Sequence, residues 1–290
     1  MQINFILTNA RIVLIWILVS VNNSYADENI DQSLLINVSS IKNASINTES
    51  GNIHYAYSGD ITKPGVLFIH GTPGEWQAFS GYLNHHNLQT NFFLVSVDRP
   101  GWGLSVNKNT KIPPSFESQA NAMIAIMQQF PNKKWIIVGH SLGASLAPKI
   151  AYQAPELVSH LLILAGSINP KLGNPRWYNH VANNMLLKWF VPKNLRTSNK
   201  EIMLLREELE ALNQQISTSK LESNLVVIQG MKDKLVSPKN PQFISEQWNS
   251  SFTNIEIVEL ADEGHFLPWR QTGLIIEKLQ SMQVNSNSVK

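Results

Sequence analysis

Short apolar runs alternate with longer stretches of helical periodicity from about residue 43 onward. The apolar runs, rich in β-branched residues, are Val66–His70, Phe92–Val97, Trp135–Gly139, Leu161–Ala165, Leu225–Gln229 and Ile255–Leu260. The helix-period stretches are Trp76–Leu88, Phe116–Phe130, Leu142–Gln153, Pro241–Trp248 and Gly273–Met282. Because buried parallel strands are continuously apolar and are joined by crossover helices, this alternation predicts an α/β fold with a mostly parallel central sheet flanked by helices. An antiparallel hairpin before them, residues 44–46 with 53–57, is predicted to turn at Ser50-Gly51-Asn52.

One stretch, residues 167–220, is too long for a simple connection between two strands, so we expect it to carry structure of its own. Apolar residues within it recur at steps of three and four, at Ile202, Leu205, Leu209, Leu212 and Ile216. This spacing predicts a helix of about four turns with one apolar side. We interpret 167–220 as a helical cap inserted between two parts of the core, 27–166 and 221–290. The apolar side can simply pack the cap onto the core, or the cap can also cover a substrate pocket. The large side chains that we single out as pocket candidates are Trp177, Trp189 and Phe190.

The N-terminal segment contains an apolar run of ten residues, Ile12–Val21, preceded by Arg11. A run of this length fits the apolar region of a signal peptide and is shorter than the about 20 residues of a membrane span. Small or polar residues at Ser24 and Ala26 favour cleavage after Ala26. We therefore expect residues 1–26 to be a signal peptide and the protein to be exported, periplasmic or secreted, with no stable membrane span after cleavage. An uncleaved membrane anchor and a buried first element are the alternatives.

Composition narrows the possible chemistry. The 290 residues are 43% hydrophobic and 15% charged, which is enough for one large core. Lys plus Arg number 23 against 21 Asp plus Glu, and no basic cluster interleaved with aromatic residues is found, so nucleic acid is not an expected partner. The chain has no cysteine, which excludes disulfides, thiolate nucleophiles and cysteine-ligated metals.

A candidate nucleophile lies in the segment Gly139-His140-Ser141-Leu142-Gly143. This segment follows an apolar strand pattern and opens directly into a helix-period stretch, as a sharp turn that exposes Ser141 requires. The two glycines are explained by crowding, because side chains there would clash with the adjoining strand or helix. A serine hydroxyl is protonated at neutral pH and needs a base within hydrogen-bond reach.

His265 is the predicted base, and Asp233 is its predicted acceptor. Of the eight histidines, His265 lies in the loop after the last apolar run, and loops at the carboxyl ends of parallel strands converge on one crevice. Asp233 lies four residues beyond the strand pattern that ends at Gln229. The chain order Ser, Asp, His is the one expected for a strand-turn-helix nucleophile. The alternative is that Asp233 is a solvated turn residue.

An oxyanion formed during attack on a carbonyl needs preorganised N–H donors. The backbone N–H of Leu142, directly after the nucleophile, is one candidate. The second is the backbone N–H of Thr72 in His70-Gly71-Thr72-Pro73-Gly74, since Pro73 has no N–H. A plain Gly/Pro turn is the alternative for this segment.

Several motifs occur in a fixed order at the predicted strand ends. They are His70-Gly71-Thr72-Pro73-Gly74, Asp98-Arg99-Pro100-Gly101-Trp102-Gly103-Leu104-Ser105, Gly139-His140-Ser141-Leu142-Gly143, Gly230 to Asp233 and Gly264-His265. Over roughly residues 50–283, the chain resembles the α/β-hydrolase superfamily in its capped serine esterase and lipase branch. The resemblance implies that the turn at Asp98 is structural and that no metal or organic cofactor is needed. Related epoxide hydrolases and haloalkane dehalogenases carry an aspartate at the elbow, so Ser141 argues against both.

Three functional hypotheses follow. The favoured one is an exported hydrolase that cleaves a carboxylic ester of a small or medium apolar acyl substrate. The second keeps the same triad but changes the bond to a lactone, thioester, amide or carbon–carbon bond. The third is a non-catalytic binding module on the same fold, since fold does not determine function; such modules commonly lose a triad member, whereas all three residues are present.

Overall fold

The structure is a computed structural model that describes residues 41–105, 113–131, 133–182 and 191–287; the side chains of 178 and 283–287 are not described. The expected signal peptide at 1–26 and the candidate pocket residues Trp189 and Phe190 lie outside the described residues. No helix in these ranges is long and apolar enough to cross a membrane.

Eight strands form one sheet in the order β1-β2-β4-β3-β5-β6-β7-β8. The strands are β1 Lys42–Thr48, β2 Gly51–Gly59, β3 Gly65–Ile69, β4 Phe93–Val97, β5 Trp135–His140, β6 Val158–Leu164, β7 Leu221–Gly230 and β8 Phe252–Leu260. β2 runs antiparallel to both of its neighbours, and every pairing from β4 through β8 is parallel. The predicted α/β fold with a mostly parallel sheet is therefore confirmed.

Helices cover both faces of the sheet. They are α1 Ser80–Leu83, α2 His86–Asn91, α3 Phe116–Gln128, α4 Leu142–Gln153, α5 Trp177–Ala182, α6 Lys193–Ser217, α7 Asn240–Gln247, α8 Leu267–Arg270 and α9 Thr272–Asn287, with 3-10 turns at Trp76–Phe79, Pro155–Leu157 and Pro170–Leu172. Alternate residues of β3 serve the two faces: Leu67 and Ile69 belong to the cluster under α3, α4, α6 and α7, whereas Val66 and Phe68 belong to the cluster under α1, α2, α8 and α9. Burial of both faces explains why the central strands have continuously apolar sequences.

Two local predictions were wrong. The helix predicted over Trp76–Leu88 is a 3-10 turn followed by two short helices, because the backbone becomes extended at His85, where the first helix has ended. The hairpin turns at Glu49 and Ser50 instead of Ser50-Gly51-Asn52. Thr48 pairs with Gly51, and Gly51 takes the positive φ of 107° that a side chain disfavours.

The helix predicted within 167–220 is confirmed but is longer than its apolar pattern. α6 has 25 residues, and its first two turns are polar except for Leu195, so apolar periodicity does not extend into them. Leu205, Leu209, Leu212 and Ile216 are buried in the same cluster as α4. The apolar side of α6 therefore packs onto the core, and the description of 167–220 as a cap stays a prediction.

Candidate active site

Ser141 occupies a sharp turn between β5 and α4. Its backbone has φ 55° and ψ −120°, a conformation that costs a residue with a side chain roughly 1–3 kcal/mol. A Cβ at Gly139 would lie 2.5 Å from the carbonyl oxygen of Gly143, and one at Gly143 would overlap the carbonyl oxygen of Ile69. The turn thus needs glycine on both sides and holds Ser141, half-buried, at the carboxyl end of a central strand.

Asp233 and His265 form a buried pair in the loops after β7 and β8. His265 Nδ1 lies 2.8 Å from Asp233 Oδ2, and Asp233 Oδ1 accepts from the backbone N–H groups of Leu235 and Val236 at 2.8 and 2.9 Å. Burial acts to raise the pKa of Asp233, but the hydrogen bond and charge of His265 and these two N–H groups outweigh it, so the pKa is lowered. Because the carboxylate accepts, Nδ1 carries the proton and Nε2 is left as the acceptor nitrogen.

The two loops that carry this pair are joined to each other. The N–H of Lys232 donates to the carbonyl of Glu263 at 2.8 Å, and Lys232 Nζ lies 2.7 Å from Asp262. A Cβ at Gly230 would lie 2.5 Å from the carbonyl oxygen of Glu263, so only glycine permits this approach. The close apposition holds Asp233 behind the ring of His265.

His140 is a site residue to which the sequence analysis gave no role. Its Nε2 lies 2.9 Å from the carbonyl oxygen of His265, and the two rings are 4.7 Å apart. Burial, followed by the neighbouring His265, lowers the pKa of His140 to about 3, so the ring is neutral at neutral pH. The carbonyl can only accept, so His140 Nε2 is the protonated nitrogen. The residue before Ser141 in the chain therefore holds the loop that delivers His265.

The loop after β3 lies directly against Ser141. A Cβ at Gly71 would be 2.9 Å from the Cβ of Ser141, so the next residue, Thr72, is brought to the elbow. Among the described backbone hydrogen bonds of turns, loops and helix caps, none is donated by the N–H of Thr72 or by that of Leu142. Gly71 thus lies against Ser141 and Leu142 follows it directly, whereas the role of the Thr72 and Leu142 N–H groups as oxyanion donors stays a prediction.

Two further buried groups hold this loop. His70 Nε2 accepts from the N–H of Arg99 at 3.1 Å, and its Nδ1 lies 2.7 Å from the carbonyl of Gly71. Burial and then the charge of Arg99 bring the pKa of His70 well below its ordinary value, so this histidine is also neutral. The fully buried carboxylate of Asp98 is hydrogen-bonded to His54 Nδ1 and accepts from the backbone N–H groups of Trp76 and Leu104.

The candidate pocket residue that the structure describes, Trp177, is exposed. Trp177, the first residue of α5, is 65% exposed, and its contact with substrate stays a prediction. An aromatic residue that the sequence analysis did not select, Trp269, stacks edge-on against His140 with ring centres 5.5 Å apart and is 39% exposed. Over the described ranges, no three His, Asp or Glu side chains are grouped to hold a metal ion.

The family model for the α/β-hydrolase fold matches residues 64–217, more than half of the chain. The chain belongs to the α/β-hydrolase family. Among curated proteins, this α/β-hydrolase is 23% identical over 260 residues to the uncharacterized hydrolase YugF of Bacillus subtilis, covering 79% of this chain and 93% of the relative.

Solved structures agree on the fold of the α/β-hydrolase. A Burkholderia cenocepacia protein assigned as an aryl esterase matches 85% of this chain and 100% of its own, with a TM-score of 0.68 and 18% identity. An Acinetobacter baumannii protein assigned as a lipase matches 91% of this chain and 98% of its own, with a TM-score of 0.62 and 19% identity. At these identities, the likeness concerns the fold alone.

Proposed function

We propose that this α/β-hydrolase is a serine hydrolase that cleaves carboxylic esters, with Ser141 as nucleophile, His265 as base and Asp233 as its orienting acid. The observation that carries the proposal is the strained backbone of Ser141 at an elbow that His140 connects to the Asp233–His265 pair. Strained residues that the surrounding structure holds in place cluster at active sites.

The mechanism is acyl transfer in two steps. Ser141 Oγ attacks the carbonyl carbon while His265 Nε2 takes the hydroxyl proton and then returns it to the leaving alcohol. Water, deprotonated by the same nitrogen, then attacks the acyl carbon; the bond to Ser141 Oγ breaks, His265 Nε2 returns the proton to Oγ, and the acid is released. Asp233 keeps the proton on His265 Nδ1 and stabilises the positive ring, a role for which its lowered pKa keeps it ionised.

The oxyanion of each tetrahedral intermediate is bound by the backbone N–H groups of Thr72 and Leu142. Loss of one such donor typically costs on the order of 3 kcal/mol of transition-state stabilisation. The fixed placement of Gly71 against Ser141 supports this assignment, since it holds the donor before substrate arrives.

An ester of a small or medium apolar acyl group is the proposed substrate, and the carboxylic-ester bond is in line with the aryl esterase and lipase assignments of two neighbours that share the fold. Export is proposed from the apolar run at Ile12–Val21 alone. If the export proposal is right, the mature protein purified from its source begins at Asp27. Intact mass measurement that finds Met1 or residue 2 at the N terminus would contradict it.

Fluorophosphonate labelling tests the nucleophile. We expect the wild-type protein to be labelled and Ser141→Ala to lose labelling and ester hydrolysis completely, because the proposal assigns the attacking hydroxyl to Ser141. The matched control is Ser159→Ala, in which a half-buried hydroxyl on β6 that binds the carbonyl of Trp135 is removed. Persistent labelling of folded Ser141→Ala removes Ser141 from the mechanism.

A panel of p-nitrophenyl esters, a lactone, a thioester and an amide then identifies the type of bond that the protein cleaves.

A further inference from the structure

Arg99 is a fully buried cation whose hydrogen bonds connect two helices to the loop after β3. Its guanidinium forms a two-point pair with Glu201 of α6, with Nη1–Oε1 at 2.8 Å and Nη2–Oε2 at 3.1 Å. Gln119 of α3 accepts from Nη1 at 2.8 Å, and Trp102 Nε1 donates to Glu201 at 3.2 Å. The arginine is therefore held by residues of α6 and α3.

The remaining donors of the same guanidinium hold the loop after β3. Arg99 Nε donates to the carbonyl of His70 at 3.0 Å, and Nη2 donates to the carbonyl of Gly71 at 2.9 Å. The Gly71 carbonyl belongs to the peptide unit whose N–H is that of Thr72. Because a peptide unit is planar, fixing this carbonyl fixes the direction of the Thr72 N–H.

We propose that Glu201, acting through Arg99, is a positioning residue for the oxyanion hole, so that the placement of α6 sets the aim of the Thr72 N–H at the reacting carbonyl. Glu201 itself contacts no reacting atom. The inference rests on the proposed function for its kinetic consequence, whereas the ordering of residues 70–72 follows from the contacts alone.

The charge pair is better suited to positioning than to stability. A buried ion pair gains little net stability because desolvation of both charges offsets their attraction. A planar guanidinium bonded at two points to a carboxylate has a strongly restricted orientation. The property gained is thus the fixed direction of the two N–H groups that reach His70 and Gly71.

The kinetic test compares Glu201→Gln with Glu210→Gln. Glu210 lies on the same helix, is exposed and, among the described residues, pairs with Arg206, so its variant removes a carboxylate from α6 without touching Arg99. For Glu201→Gln, we expect kcat on a p-nitrophenyl ester to fall about 10- to 100-fold with little change in KM, since small misplacements of an oxyanion donor have effects of this size. A phenylboronic acid, whose tetrahedral adduct places an oxygen at the same donors, should lose affinity in proportion to kcat/KM. Glu210→Gln should retain wild-type values.

A second measurement does not depend on activity. Amide hydrogen exchange at Gly71, Thr72 and Gly74 should accelerate in Glu201→Gln and not in Glu210→Gln, whereas exchange in β5 stays slow in both. If exchange is faster in Glu201→Gln but the wild-type protein hydrolyses no ester, the proposed function is refuted and the positioning role stays intact. Normal ester hydrolysis with unchanged exchange and unchanged kcat in folded Glu201→Gln overturns the positioning role.

If Glu201→Gln does not fold, the double variant Arg99→Met with Glu201→Leu takes its place. It removes both charges together, so no lone buried charge remains, and it also removes the donors to His70 and Gly71. The proposal expects a folded double variant with lowered kcat and a weakened boronic acid complex. A double variant with wild-type kcat overturns it.

Discussion

At the residue scale, His140 connects two parts of the chain that are 125 positions apart. The backbone carbonyl of His265 accepts from His140 Nε2, and the edge of Trp269 packs against the His140 ring. The contact with His265 goes through its main chain, so His140 can fix the position of the His265 ring without competing for its nitrogens. Its pKa of about 3 keeps it from charging beside His265 at neutral pH.

We therefore expect His140→Leu to lower kcat about tenfold, because the His265 loop loses a buried hydrogen bond and His265 is then less well positioned relative to Ser141. His140→Gln retains an N–H donor at a similar reach and should recover most of the activity. The measurement is kcat and KM on one ester for both variants, with urea unfolding to show that each is folded. Equal activity of the leucine and glutamine variants would contradict this role.

The candidate triad was accessible to sequence reasoning because each member follows a strand and the family motifs mark it. His140 and the pair Arg99–Glu201 were not, because their partners lie far away in sequence and only the folded chain brings them together. One signal for Glu201 was present. Residue 201 lies four positions before Leu205, so it extends the apolar side of α6 by one turn, and a carboxylate on that side must find a buried partner.

At the element scale, α6 is held by its apolar side. Leu209 is fully buried between the core cluster around α4 and the 3-10 turn Pro170–Leu172, near Gly173. The residues of α6 before Ile202 are mostly polar and give no apolar periodicity, yet they include buried Ser198, Asn199 and Glu201. The helix thus has an apolar anchor at one end and a hydrogen-bonded contact with the site at the other.

Leu209→Ala should lower the free energy of unfolding by about 2–5 kcal/mol, the range for a buried leucine whose removal leaves a cavity. Exposed Glu207→Ala on the same helix is the matched control and should change it by less than about 0.5 kcal/mol. Urea unfolding followed by circular dichroism measures both. A small effect of Leu209→Ala would mean that α6 is not packed onto the core as described.

The bounds of the central strands were predicted to within a few residues, whereas the structure of residues 76–88 was predicted wrongly. Central strands are buried on both faces, so their apolar runs give an unambiguous pattern. In 76–88, apolar residues occur at helical spacing, but the backbone at His85 is extended and divides the segment. Tyr82 donates to the carbonyl of Pro268 at 2.6 Å, a contact across 186 positions that no local pattern contains.

At the scale of the whole molecule, two neutral buried histidines make the fold sensitive to acid. The pKa values of His70 and His140 are both lowered from 6.5 by burial, so the folded protein does not protonate them near pH 6. The unfolded chain does take up these protons below about pH 6.5. The unfolded state binds more protons in this range, so stability falls as pH falls.

Between pH 7 and pH 5, each of these histidines should contribute a loss approaching about 1.4 kcal/mol per pH unit once the pH is below the unfolded value. Urea unfolding of the wild type at pH 7, 6 and 5 measures the slope, and His140→Gln should reduce it by about one proton. His86→Gln, at an exposed position on α2, is the control and should leave the slope unchanged. Equal slopes in the wild type and His140→Gln would refute the assignment.

The sheet places the proposed nucleophile and its proposed base in unequal surroundings. Ser141 follows β5, an interior strand with every residue buried, whereas His265 follows β8, the last of the described strands, which is paired along one side and half-buried over much of its length. Border strands open at lower free-energy cost than interior ones. On warming, the loop that carries His265 should therefore move away from Ser141 while the interior strands are still folded. We expect ester hydrolysis to be lost at a lower temperature than the fold itself.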